Sequence, residues 1–197
     1  MQVKPESLMD VKQFEKFKNV VKKYTPKHEY EFRLGKKSMN RFDTNIGHEL
    51  FTKILSGLEK YTQWESVVKS DESVFYKDPD YRIIIDNIND SFVHQTKKKC
   101  EVVDEKTNKK LDIRLAVSLE TECPDKECEM DREVRRLRTT FHRKNVAICC
   151  TEVKGQPKDC DEESDTQYQV EIEFQPSDDD VELFNRMHKV FNVLELC

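Results

Sequence analysis

Charged and apolar residues alternate through His28-Glu29-Tyr30-Glu31-Phe32-Arg33-Leu34-Gly35-Lys36. Successive side chains of a β-strand point to opposite faces, so Glu29, Glu31 and Arg33 share one face and Tyr30, Phe32 and Leu34 the other. The pattern returns in Tyr168-Gln169-Val170-Glu171-Ile172-Glu173-Phe174, where Glu171 and Glu173 stand opposite Tyr168, Val170, Ile172 and Phe174. Side by side, two such strands gather four carboxylates in one layer. Close carboxylates resist joint ionisation unless a cation compensates them. The reading that fits is a divalent metal held by Glu29, Glu31, Glu171 and Glu173.

Strands are expected between these two at Trp64–Lys69, Ser73–Tyr76, Asp80–Asp86, Phe92–Lys98, Leu111–Thr121, Glu133–Phe141 and Asn145–Val153, and the closing one spans Gln167–Gln175. Several repeat the same inversion. Asp112, Arg114, Ala116, Ser118 and Glu120 share a face opposite Leu111, Ile113, Leu115, Val117 and Leu119, and Arg136, Arg138 and Thr140 stand opposite Leu137 and Phe141. Arg82 likewise opposes Tyr81, Ile83 and Ile85. A lone Glu-x-Glu is ordinarily the wet face of an antiparallel sheet.

Three amphipathic helices change that balance. They are expected over residues 7–24, from about Asn45 through Tyr61, and after Ser177, which is read as the N-cap ahead of Asp178, Asp179 and Asp180. Helices of this kind can cover the apolar outside of a sheet that closes with its charged face inward. Gly35 is expected to end the opening strand. Asp104–Lys110 and Gly155–Asp165 read as hairpin loops. The expected fold is mainly β with flanking helices: a closed antiparallel barrel with a polar interior and helices packed outside. A chain of 197 residues supports one domain over its whole length.

Composition narrows the function classes. Lys+Arg number 34 against Asp+Glu 39, a net charge of -5, so the chain lacks the overall basic charge of a dedicated duplex-binding protein. The first residues lack the apolar core of a signal peptide, and no window reaches the apolar length of a membrane span. Seven cysteines, an odd number, fit a reducing compartment. The expected setting is cytoplasmic or nuclear, neither secreted nor at a membrane. Cys123-x-x-x-x-Cys128 with Cys160 is irregular for zinc and lacks a fourth ligand, so reduced thiols are the preferred reading. Neither a His-Cys-x₅-Arg phosphatase loop nor a Gly-rich phosphate loop occurs.

The strands Glu29-x-Glu31-x-Arg33-x-Gly35, Arg136-x-Arg138 and Glu171-x-Glu173, in this order, resemble the triphosphate tunnel metalloenzymes. The closest resemblance is to the metal-dependent RNA 5′-triphosphatases of fungi, protozoa and large DNA viruses. It covers most of the chain and implies an eight-stranded tunnel that removes the γ-phosphate of 5′-triphosphate RNA, the first step of mRNA capping. By motif position, Glu29, Glu31, Glu171 and Glu173 would ligate Mn²⁺ or Mg²⁺, with Arg33 beside them. Arg136 and Arg138 would grip phosphate, and Glu120 would position the attacking water. Arg82, a lysine of Lys97-Lys98-Lys99 (Lys97 or Lys99), Arg114 and Thr151 would complete the lining. Gln169, Ala147 and Cys149 depart from the family pattern.

The implied substrate is the triphosphate end of RNA, with nucleoside triphosphates as further substrates. No Lys-x-Asp-Gly motif is present, so guanylyl transfer would fall to a partner or another domain. Two alternatives stand beside this reading. One is a tunnel hydrolase of tripolyphosphate, thiamine triphosphate or free nucleoside triphosphate. The other is a non-catalytic polyanion-binding or capping-complex module.

Overall fold

The structure is a computed structural model and describes residues 9–39, 41–77, 79–155 and 166–197. Among these residues nine strands form one antiparallel sheet: β1 (Glu29–Lys37), β2 (Phe42–Asp43), β3 (Ser66–Lys77), β4 (Tyr81–Asp86), β5 (Ser91–Glu105), β6 (Asp112–Glu122), β7 (Arg132–Arg143), β8 (Val146–Gly155) and β9 (Thr166–Phe174). Their order is β2-β1-β6-β5-β4-β3-β7-β8-β9, and β1 also pairs with β9. That last pairing closes eight strands into a barrel and leaves β2 as a short outer ribbon on β1. The first and last barrel strands therefore meet, with Glu31 registered on Glu173 and Arg33 on Glu171.

The outside of this seam carries the core. Tyr30, Phe32 and Leu34 are at most 1% exposed, as are Ile113, Leu115 and Val117 of β6 and Val170 and Ile172 of β9. Helix α1 (Val11–Val21) lays Phe17 edge-on to Phe32 at 5.1 Å, and Phe32 stacks on Phe174 at 5.4 Å. Each fully buried aromatic contributes about 1.5–3 kcal/mol by removal from water. Helix α2 (His48–Glu59) packs on β9 through Phe51 and Tyr168, 5.2 Å apart. Helices α3 (Asp180–Met187) and α4 (Lys189–Leu194) close the layer, with Phe184 edge-on to Phe14 at 5.3 Å.

Several boundaries differ from the sequence expectation. Trp64–Lys69 and Ser73–Tyr76 belong to the single strand β3, because pairing with β7 runs unbroken from Ser66 to Tyr76. β5 continues to Glu105 across a bulge between Lys99 and Glu101, so Asp104 is strand rather than loop. Gly35 does not end β1, which continues to Lys37. A Cβ there would lie 2.1 Å from the Asp43 carbonyl oxygen, so the glycine admits β2, which the sequence pattern had not revealed. α3 is capped by Asp179, whose side chain accepts from the Glu182 N–H, while Ser177 Oγ donates to the Glu182 carboxylate. The expected final helix is two short ones. The 155–165 hairpin beyond Gly155 lies outside the described residues.

Candidate active site

Register sets the lining of the barrel. Residues directly opposite one another in an antiparallel pair share a face, so the Glu29–Glu31–Arg33 row continues into Ser118, Ala116 and Arg114 of β6. The same row meets Glu173 and Glu171 of β9, then Ala147, Cys149 and Thr151 of β8, then His142, Thr140 and Arg138 of β7. All of these face the lumen. A cavity of about 470 Å³ lies within and is lined by eleven of the thirteen residues singled out in the sequence. They are Glu29, Glu31, Arg33, Arg82, Lys97, Glu120, Arg136, Arg138, Thr151, Glu171 and Glu173.

The other two stand apart. Lys99 is exposed and does not line the cavity, because it sits at the β5 bulge. Arg114 points inward but is held away from the cavity by Asp104, with Nε 2.6 Å from Oδ1, and lies 4.6 Å from the Phe42 ring centroid. The sequence reading also passed over Gln95, Glu72, Tyr76 and Arg132, which line the same cavity. Parity could have found them. Gln95 is two residues before Lys97, Glu72 and Tyr76 share their face of β3, and Arg132 lies on the Arg136–Arg138 row. The lumen is also not polar throughout: Val74, Val134 and Val153 form a small buried cluster within it.

Inside, acids and bases are shared rather than paired one to one. Lys97 Nζ lies 2.5 Å from Glu29, 2.7 Å from Glu120 and 4.0 Å from Glu31. Arg33 bridges Glu31 at 2.5 Å and Glu171 at 3.2 Å, its Nε outside hydrogen-bond geometry with the latter. Arg138 approaches Glu171 at 3.5 Å and Glu173 at 3.9 Å and donates from Nε to Thr151 Oγ1 at 3.0 Å. Arg82 and Gln95 clamp Glu120. Arg82 Nη2 and Gln95 Nε2 each donate to that carboxylate at 2.9 Å, and Arg82 Nε donates to Gln95 Oε1 at 2.8 Å.

The consequences for protonation diverge. Burial and the neighbouring Glu31 carboxylate push Glu29 up to about 7, only partly relieved by Lys97. Burial also raises Glu173, with Arg138 opposing and Glu171 reinforcing. Burial works against Glu120 and Glu171 too, but Lys97 and Arg82 outweigh it at Glu120, and Arg33 and Arg138 at Glu171. Both are held at about 2. Burial would lower Lys97, yet Glu31, Glu29 and Glu120 raise it. The thiol of Cys149, 3.5 Å from Glu173 Oε1, is pushed upward by burial.

These acids suit a divalent cation by donor chemistry. Carboxylate oxygens are hard ligands for Mg²⁺ or Mn²⁺, and burial, reinforced by neighbouring carboxylates, disfavours the charged forms of Glu29 and Glu173 despite Lys97 and Arg138, a cost a bound cation would offset. Among the described residues no three His, Cys, Asp or Glu side chains already converge as a cage. A cation would therefore take Glu oxygens that now face Lys97 and the arginines. The Cys123 and Cys128 thiols are free, and Cys160 lies outside the described residues.

Solved structures share this architecture. The Pct1 RNA triphosphatase of S. pombe superposes with a TM-score of 0.77 at 12% identity, covering 99% of this chain and 100% of that one. Pct1 in complex with the Spt5 CTD gives 0.74 at 12% identity, with 99% and 100% covered. The RNA triphosphatase domain of the trifunctional mimivirus mRNA capping enzyme gives 0.68 at 15%, with 96% and 97% covered. The chain has the tunnel fold of these capping-type RNA triphosphatases. No protein-family model and no curated protein sequence matches it. No helix among the described residues is long and apolar enough to cross a membrane.

Proposed function

We propose that this protein is a metal-dependent polynucleotide 5′-triphosphatase that releases the γ-phosphate of 5′-triphosphate RNA and leaves a 5′-diphosphate end. The observation that carries this reading is the seam where Glu31 meets Glu173 and Arg33 meets Glu171 inside a closed, cation-lined lumen. Glu29, Glu31, Glu171 and Glu173 would hold the Mn²⁺ or Mg²⁺. When bound, the ion polarises the phosphoryl group and offsets charge on its oxygens.

Phosphoryl transfer needs positioning and charge stabilisation, and no protein nucleophile. Arg138 and Arg136 on β7, with Arg82 and Lys97, present fixed donors to the phosphate oxygens. Thr151 orients Arg138 through the 3.0 Å hydrogen bond, and Arg33 bridges Glu31 and Glu171 across the seam. Glu120, held at about 2, is a poor base but a permanent acceptor at neutral pH. That suits it to orienting water for in-line attack while Gln95 and Arg82 fix the carboxylate plane.

Guanylyl transfer onto the diphosphate product would fall to a partner or another domain, in a nuclear or cytoplasmic setting. Release of labelled phosphate from γ-labelled triphosphate RNA, ATP and tripolyphosphate, each with and without Mn²⁺, tests the reading. The expected result is Mn²⁺-dependent release from triphosphate RNA, lost in both Glu29→Ala and Glu171→Ala. Release from tripolyphosphate alone would make the protein an inorganic polyphosphate hydrolase. No release from any substrate would make it a binding module.

A further inference from the structure

The cations of the lumen are not equally committed. Arg33, Arg82, Lys97 and Arg138 each lie within 4.0 Å of a carboxylate. Among the described residues, Arg132 and Arg136 make no ion pair. Both are gathered on one aromatic ring. The Arg132 guanidinium lies over Tyr76 at 3.9 Å from its centroid, and Arg136 donates from Nη2 to the Tyr76 hydroxyl. Arg132 Nε is buried and has no hydrogen-bond partner.

A buried N–H without an acceptor costs free energy unless a ligand supplies one. Stacking on a ring fixes the plane of a guanidinium and leaves its edge donors available, the geometry that recognises phosphate. Tyr76 reaches this position because β3 and β7 pair in register, Tyr76 on Arg132. β3 stands diametrically across the barrel from β1, four strands away in either direction. Along β7 the same face carries Arg138 beside Glu171 and Glu173, then Arg136, then Arg132. At about 3.4 Å per residue, Arg132 lies roughly 20 Å along the strand from Arg138, and its side chain meets that of Arg136 at Tyr76.

We propose that Arg132, stacked on Tyr76, forms with Arg136 a second anion subsite, which takes phosphate oxygens lying beyond the phosphoryl group that is cleaved. It rests on the triphosphatase reading, since it extends the same lumen. Arg132 was not among the residues the family pattern implied. The ligand chemistry is a phosphate chain. Its source is either the inner phosphates of the triphosphate or the first phosphodiester of the attached RNA.

Calorimetric titration of the full chain, wild type against Arg132→Lys and Arg132→Gln, tests this with three probes: orthophosphate, tripolyphosphate and a short 5′-triphosphate RNA. Arg132→Gln should weaken the RNA about tenfold or more and leave orthophosphate unchanged, with Arg132→Lys intermediate. A matching loss with tripolyphosphate assigns the inner phosphates; a loss with RNA alone assigns the phosphodiester. Unchanged RNA affinity, an equal loss for orthophosphate, or equal behaviour of the Lys and Gln variants would overturn the proposal and leave Arg132 as packing for Tyr76. Binding is read without turnover. Wild-type hydrolysis with indifferent variants sinks only the subsite, and Arg132-dependent binding without hydrolysis sinks only the triphosphatase reading.

Discussion

The two walls of the lumen are built on opposite terms. On the β1–β9 wall, Glu29, Glu31, Glu171 and Glu173 crowd together, and Arg33, Lys97 and Arg138 are each shared between two of them. On the β3–β7 wall, Arg132 and Arg136 meet at Tyr76 and, among the described residues, make no ion pair, although Glu72 stands opposite Arg136 in register. One wall has negative charge to spare and the other positive charge to spare. On the proposed function, a metal would satisfy the first and a polyanion the second. The difference also has a counterpart in the core. The large apolar cluster, helices included, backs the acidic wall, whereas Val74, Val134 and Val153 form a small separate cluster on the β3–β7 side.

That contrast can be broken experimentally, beginning with what backs the acidic wall. Phe32→Ala removes the ring that α1 and Phe174 enclose, at an expected cost of about 3–5 kcal/mol in unfolding free energy by urea titration. Cation affinity of the fraction that remains folded should be unchanged, because Phe32 faces away from the lumen. Arg138→Ala acts at the junction of the walls. It should lower kcat by ~10²–10³ in the phosphate-release assay, the usual effect of removing one fixed donor.

A smaller effect isolates the acidic wall by pH. Glu29 titrates near 7 when folded against 4.5 in the reference state, and Glu173 is raised as well. The folded protein then binds more protons than the unfolded one between these values, so metal-free stability falls as pH rises from 4.5 towards 7. For Glu29 this amounts to at most about 3 kcal/mol. Thermal melts at pH 5 and pH 7 should show it, and Mn²⁺ should raise Tm more at the higher pH. Glu120 and Glu171, held at about 2, act in the opposite sense and only below their usual range. Flat Tm across this interval would mean that burial does not hold Glu29 and Glu173 above the usual carboxylate range.

The smallest change probes the clamp between the walls. Gln95→Ala removes the amide that fixes Arg82 and Glu120, and a loss of roughly tenfold in kcat/KM is expected with little change in Tm. An unaltered kcat/KM would show that Arg82 holds Glu120 unaided.

Much of this was legible in the sequence because period-two alternation fixes which residues share a face. Glu29, Glu31, Arg33, Glu171 and Glu173 required nothing more, and the three amphipathic helices indicated which face was outside. Register was less accessible. That Glu31 meets Glu173, and that Tyr76 meets Arg132, depends on how long β3 runs and where β5 bulges, and neither leaves a local mark. Lys99 shares parity with Lys97 but not its place, since the bulge that follows leaves it exposed. Arg114 kept its parity and found a partner first, in an Asp104 that strand pairing brought opposite. β2 left a trace only in Gly35, whose reason was contact with Asp43 rather than a chain turn.

Equilibrium Mn²⁺ binding, followed by loss of the free-ion paramagnetic resonance signal at pH 7, tests the acidic seam most directly. The wild-type chain should bind Mn²⁺ stoichiometrically with release of protons, and Glu29→Ala combined with Glu171→Ala should abolish binding without unfolding the barrel. Manganese affinity that is absent, or indifferent to those two substitutions, would contradict the account.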